Sequence, residues 1–153
     1  MTVEQAGPGS AAGMTGAAAP MPLSGSCHCG AVRIEVPSAP EWVASCNCSI
    51  CRRTGALMAY YPPAEVRVEG EAATYLTGDR FIRFHHCAAC GCHTHWSANP
   101  EALAGDLPEE VRAALGERMG VNARLLDGFS VAGRVATFDG VPIELRYFDN
   151  ARD

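Results

Sequence analysis

The chain has 153 residues, 48% of them hydrophobic, a formal net charge of −5 and no lysine among its twelve basic residues. That length suits one domain with a modest core, and no apolar run approaches the length of a membrane-spanning helix. The negative balance argues against nucleic-acid binding, which needs a basic face, and the missing lysine and missing G-x-S-x-G elbow exclude Schiff-base and argue against serine-hydrolase chemistry.

Met1 to Pro22 is Gly, Ala, Ser and Pro with scattered Met, a composition that cannot offset its ordering entropy, so residues 1–22 are expected to form a disordered tail. The segment has neither a basic n-region nor a continuous apolar h-region, and a reducing cytosolic setting is expected. The domain is placed at 23–150. Ser26-Cys27-His28-Cys29-Gly30 is a C-x-C turn, and Ala31 to Val36 alternates apolar and polar with the period of a half-buried strand. Trp42 to Ser45 forms a second short strand leading into Cys46-Asn47-Cys48-Ser49-Ile50-Cys51. Ala56 to Tyr61 reads as a buried strand ended by Pro62-Pro63. Val66–Glu69 and Thr74–Leu76 are further strands, and Gly78-Asp79 predicts a hairpin turn before Phe81 to Phe84. A glycine directly after the C-x-x-C of Cys87 and Cys90 suits a tight knuckle at positive φ. His93 to Trp96 continues as a strand. Leu107 to Gly116 carries the one clear helix signal, with Pro108 and two acids at its start and glycine at its end. Met119 to Leu126 and Val141 to Phe148 are the last extended segments, separated by a Gly-rich turn region. Many short strands, one short helix and frequent Gly/Pro punctuation predict a mostly-β domain stapled by metal.

Eight cysteines in a reducing setting favour a metal framework over disulfides, and zinc is the default ion for clustered thiolates. Cys27, Cys29, Cys87 and Cys90 make a closed four-thiolate set that pins the N-terminal strand to the central hairpin, so zinc binding there becomes folding free energy. Cys46, Cys48 and Cys51 remain, with Cys92 over. Spacing alone leaves two readings of this trio: a zinc whose fourth position takes water or a sulfur, or a second structural zinc closed by Cys92, His93 or His95. His28, His85 and His86 adjoin ligand cysteines as hydrogen-bonding neighbours. Arg52 and Arg53 offset the net −1 of a three-thiolate zinc, and Arg53 is the candidate anchor for a substrate carboxylate. Trp42, Trp96, Tyr60 and Tyr61 are read as core or pocket wall.

The segments Gly25 to Val32, Cys46 to Ala56 and Cys87 to Gly91, in that order, resemble the glutathione-dependent formaldehyde-activating enzyme family, also called S-(hydroxymethyl)glutathione synthase. Val121 to Asp127 resembles a later segment of the same family, so the likeness runs from about Leu23 to Asp127. The resemblance implies two small antiparallel sheets meeting at an angle, a zinc-stapled β-tent. It implies two zinc ions per chain: a structural one on Cys27, Cys29, Cys87 and Cys90, and a catalytic one on Cys46, Cys48 and Cys51. It further implies a carbon–sulfur lyase acting on glutathione and formaldehyde. The alternative classes are a non-catalytic zinc-binding interaction module and a thiol redox sensor that uses the same three cysteines.

Overall fold

The computed structural model describes residues 21–78 and 80–138. The tail expected over 1–22, apart from Met21 and Pro22, lies outside them, as do Asp79 of the predicted turn and the extended segment Val141 to Phe148.

Strand β1 (Leu23–Ser26) pairs antiparallel with β2 (Arg33–Val36), and β2 pairs antiparallel with β5 (Arg67–Glu69). In β2 the alternation does what its sequence predicts: Ile34 and Val36 are buried while Arg33 and Glu35 face water. This small sheet lies against a larger one made of β3 (Val43–Cys46), β4 (Met58–Tyr61), β6 (Ala72–Leu76), β7 (Ile82–Cys87), β8 (His93–Ala98), β9 (Met119–Asn122) and β10 (Val135–Phe138). The spatial order there is β10-β3-β4-β9-β8-β7-β6. The expectation of small antiparallel sheets needs enlarging, because this sheet has seven strands and β10 joins its edge parallel to β3. The hairpin predicted around Gly78 is present, with Leu76 opposite Arg83.

Two cores follow from the large sheet's alternation. Leu57, Ala59, Tyr61 and Val121 point toward the small sheet and pack with its Ile34 and Val36. Ala44, Met58, Phe84 and Trp96 point the opposite way and pack with Leu115 of a covering helix. At Gly25 of β1 an added Cβ would lie 1.9 Å from the carbonyl oxygen of Leu125, in the segment that follows β9. Only glycine fits there.

Among the described residues three helices are present where one was expected: α1 (Ser49–Thr54), α2 (Pro100–Leu103) and α3 (Glu109–Gly116). The predicted helix is α3, with Pro108 at its N-cap. The other two have six and four residues, too short for a 3.6-residue period to register. The extended run from Met119 ends at Asn122, whose side chain accepts the Arg124 backbone N–H and starts a 3₁₀ turn over Ala123–Leu125.

Candidate metal centres and the adjoining cleft

The first cysteine cluster forms where two tight turns meet. After β1 the chain turns through Cys27–Gly30, with Gly30 at φ 78° and its N–H on the Cys27 carbonyl at 2.9 Å. Between β7 and β8 the knuckle predicted from sequence is closed by the Gly91 N–H on the Cys87 carbonyl at 2.8 Å, with Gly91 at φ 73°. These turns bring together sulfurs from both sheets. Cys29 Sγ lies 3.6 Å from Cys27 Sγ and 3.6 Å from Cys87 Sγ, and all four Sγ atoms, including that of Cys90, lie within 4.8 Å of one another. A tetrahedron with metal–sulfur bonds of about 2.3 Å has edges of about 3.8 Å, so this donor set fits one zinc-sized ion. Cys27 and Cys87 are buried, and Val32 N–H donates to Cys27 Sγ at 3.2 Å. The Cys90 thiol is drawn down to about 5 by the backbone N–H groups of Cys92 and Cys29.

The second cluster is local. Cys46 ends β3, Cys48 is the N-cap of α1, and Cys51 lies within it. Residues three apart in a helical turn share a face, which is why the x-x spacing points Cys48 and Cys51 toward the same spot. Their sulfurs and that of Cys46 lie within 4.8 Å of one another. Hydrogen bonds from Cys48 and Cys51 pull the Cys46 thiol down to about 2, while the same contacts push Cys51 up. Three crowded thiols therefore hold one negative charge readily and all three only with a cation among them.

Among the described residues no fourth donor joins this trio. The candidates named from sequence lie elsewhere. Cys92 packs against Cys27, Val32 and Cys87 beside the first cluster. A register shift between His85 and His86 leaves His93 against the Phe84 ring, 5.6 Å between centroids. His95 stacks on His85 at 4.1 Å.

Tyr60 lies close enough to the trio to feel its charge, and it belongs to an aromatic group. Tyr60 has its ring centroid 5.8 Å from that of Trp42 and 6.1 Å from that of Trp96, and the Arg118 guanidinium sits 5.6 Å from the Tyr60 centroid. Burial, then the charge of Cys46, pushes the Tyr60 hydroxyl up to about 12. Trp96 covers Gly120 so closely that a Cβ there would lie 2.0 Å from its Nε1. Beside the trio is a cleft of about 290 Å³ lined by Cys46, Cys51, Arg52, Leu57, Arg124 and Thr137, among others. Arg53 is not in its lining. It is exposed, and its Nη1 donates to the Ser49 carbonyl at 2.8 Å. The helical turn of about 100° per residue sends two adjacent arginines in different directions.

Residues 22–107 match the family described as glutathione-dependent formaldehyde-activating enzyme, more than half of the chain. The chain belongs to this family. A Rhodobacter sphaeroides protein of known crystal structure is similar to it, with a TM-score of 0.56 and 28% identity, over 75% of this chain and 99% of that one. Membership in the formaldehyde-activating family carries an enzyme-like activity related to glutathione and formaldehyde, and both cysteine clusters can bind a metal ion. No helix among the described residues is long and apolar enough to cross a membrane.

Arg124 and Asn122 are the site residues that sequence reasoning passed over. Both fall in the Val121 to Asp127 segment, where an asparagine two residues before an arginine is an N-cap signal, although nothing local says which cleft the arginine reaches.

Proposed function

We propose that this member of the formaldehyde-activating family is a zinc-dependent carbon–sulfur lyase-type enzyme that joins a glutathione-like thiol to an aldehyde, or releases it from the adduct. The observation that carries the proposal is the open trio: Cys46, Cys48 and Cys51 converge beside a cleft, with no fourth protein donor among the described residues. In this reading residues 23–150 form the zinc-binding domain and work in the cytoplasm. Cys27, Cys29, Cys87 and Cys90 hold a structural zinc, and Cys46, Cys48 and Cys51 hold a catalytic one. A zinc ion on three thiolates supplies a position where an incoming thiol gives up its proton and stays nucleophilic at neutral pH.

The chain's own residues do the rest. The three cysteines fix where the reacting sulfur arrives, and the cleft admits the thiol from one side. Tyr60, grouped with Trp42 and Trp96, keeps its proton at neutral pH and so adds no negative charge beside the three cysteines. In the forward direction a sulfur–carbon bond forms and the carbonyl π pair moves to oxygen. The proton lost from sulfur ends on that oxygen, giving a hydroxymethyl thioether. Arg53 remains a candidate contact at the rim only, since its guanidinium turns back onto Ser49.

Exchange NMR on glutathione and formaldehyde tests the proposal. The zinc-loaded protein should speed adduct formation and breakdown over the uncatalysed rate, and Cys48→Ser should abolish that acceleration while remaining folded. A parent protein that leaves the exchange rate unchanged refutes it.

A further inference from the structure

We infer that the cleft beside Cys46 and Cys51 contains a carboxylate subsite formed by Arg52 and Arg124, which together decide whether a thiol ligand is held by its acid group. The inference rests on reading that cleft as the thiol's way in. Two arginines line it from distant parts of the chain, Arg52 from α1 and Arg124 from the 3₁₀ turn after β9. Among the described residues no acidic side chain lines the cleft, and neither arginine is in an ion pair. Within a chain of net charge −5, two arginines thus line one small space whose only facing anions, among the described residues, are the cysteine sulfurs.

Arg124 is also held still. Its backbone N–H donates to Asn122 Oδ1 at 3.3 Å, and its Nε donates to the Gly55 carbonyl at 2.9 Å. Asn122 is itself tied down, donating to the His93 carbonyl at 2.9 Å and accepting from Leu57 N–H at 3.4 Å. With Nε engaged, the two Nη groups are the part of the fork left to meet a ligand. A fork fixed before the ligand arrives loses little freedom on binding, which favours a planar anion such as carboxylate. A plainer role is open to the same residues: Arg52 and Arg124 could only offset the charge of the three thiolates. That role makes no distinction between an acid and its ester.

The test uses the zinc-loaded protein, S-methylglutathione and the diethyl ester of S-methylglutathione. Neither ligand has a free thiol, so binding at this subsite is read apart from any chemistry at sulfur. Calorimetry should give about tenfold tighter binding of the acid than of the ester to the parent protein, the scale of one charge-assisted hydrogen bond. Arg52→Gln and Arg124→Gln should each weaken the acid by about tenfold and leave the ester within about twofold. Equal affinity of the parent for acid and ester overturns the inference, as does an equal loss for both ligands in Arg52→Gln. If Arg124→Gln misfolds through loss of its bond to Gly55, Arg52→Gln still decides. Failure of adduct exchange with intact acid discrimination would sink the lyase reading alone, and the reverse pattern would sink the subsite alone.

Discussion

The two cysteine clusters differ in what they tie together, and that difference predicts different costs for losing a ligand. Cys29 and Cys87 are 58 positions apart, Cys29 in the turn between two strands of the small sheet and Cys87 at the end of β7 in the large one. Cys46 and Cys51 are five positions apart on one strand end and the helix that follows it. Treating a bound ion as a cross-link, closing a 58-residue loop restrains the unfolded chain by about 4 kcal/mol, against about 2 kcal/mol for a five-residue loop. The first cluster should therefore stabilise the fold by about 2 kcal/mol more from chain restraint alone. Cys87→Ser also leaves a buried, emptied thiol set between the sheets, and a structural zinc worth about 10 kcal/mol or more rivals the whole stability of a domain. Cys87→Ser should lose one zinc and its cooperative urea transition, whereas Cys48→Ser should lose one zinc and keep a transition lowered by a few kcal/mol at most. Urea unfolding followed by circular dichroism, with metal content measured on the same samples, reads both. Equal destabilisation by the two substitutions would show that cross-linked loop length does not govern which zinc holds the fold.

Gly120→Ala should destabilise by about 1–3 kcal/mol, because its Cβ would enter the space of Trp96 Nε1 and push that ring out of the aromatic group. A shifted Trp fluorescence and a lowered melting temperature report it, and unchanged values for both would refute the packing. Burial, aided by His85, depresses His93 to about 4 and His95 to about 3, so the fold holds both neutral. Their contribution is complete above about pH 6.5 and is lost as pH falls toward those values, at about 1.4 kcal/mol per pH unit for each histidine. His93→Phe should remove its share of that slope between pH 6 and 5 without loss at pH 7.5, since both ring nitrogens of His93 are buried without a hydrogen-bond partner. A steeper slope, or a large loss at pH 7.5, would show that His93 has a polar role.

Both clusters were legible in the sequence because metal-ligand spacing is a local property. Cys27 and Cys29, Cys87 and Cys90, and the Cys46–Cys48–Cys51 trio are each close in sequence, and joining the first two pairs completes one four-thiolate set. Strands such as β2 were legible because Ile34 and Val36 face the core while Arg33 and Glu35 face water. What escaped was short, or came from far away. α1 has six residues, so its helical phase was hidden inside the ligand spacing, and with it the divergence of Arg52 from Arg53. β10 was read as a turn region between glycines, because a four-residue edge strand with an exposed Val135 has no buried face strong enough to announce itself. Cys92 could not be assigned by counting; the knuckle at Gly91 decides that it falls back toward Cys27 and Cys87.

The second centre does not depend on its own metal for position, and this bears on how it can work. β3 is held between β4 and β10, Ala44 and Ile50 pack into the core with Met58, and Arg124 fastens the end of α1 through the Gly55 carbonyl. Those contacts fix the three cysteines from outside the cluster. A ligand change at an ion held there would not have to loosen the fold, because the three cysteines lie on one strand end and the helix that follows it. The first centre has the opposite property: its four cysteines come from turns of the two sheets, and a change of partner there would remove a cross-link between them. In the proposed reading, exchange chemistry falls at the site whose ligands are already held by packing, which is the site with the cleft.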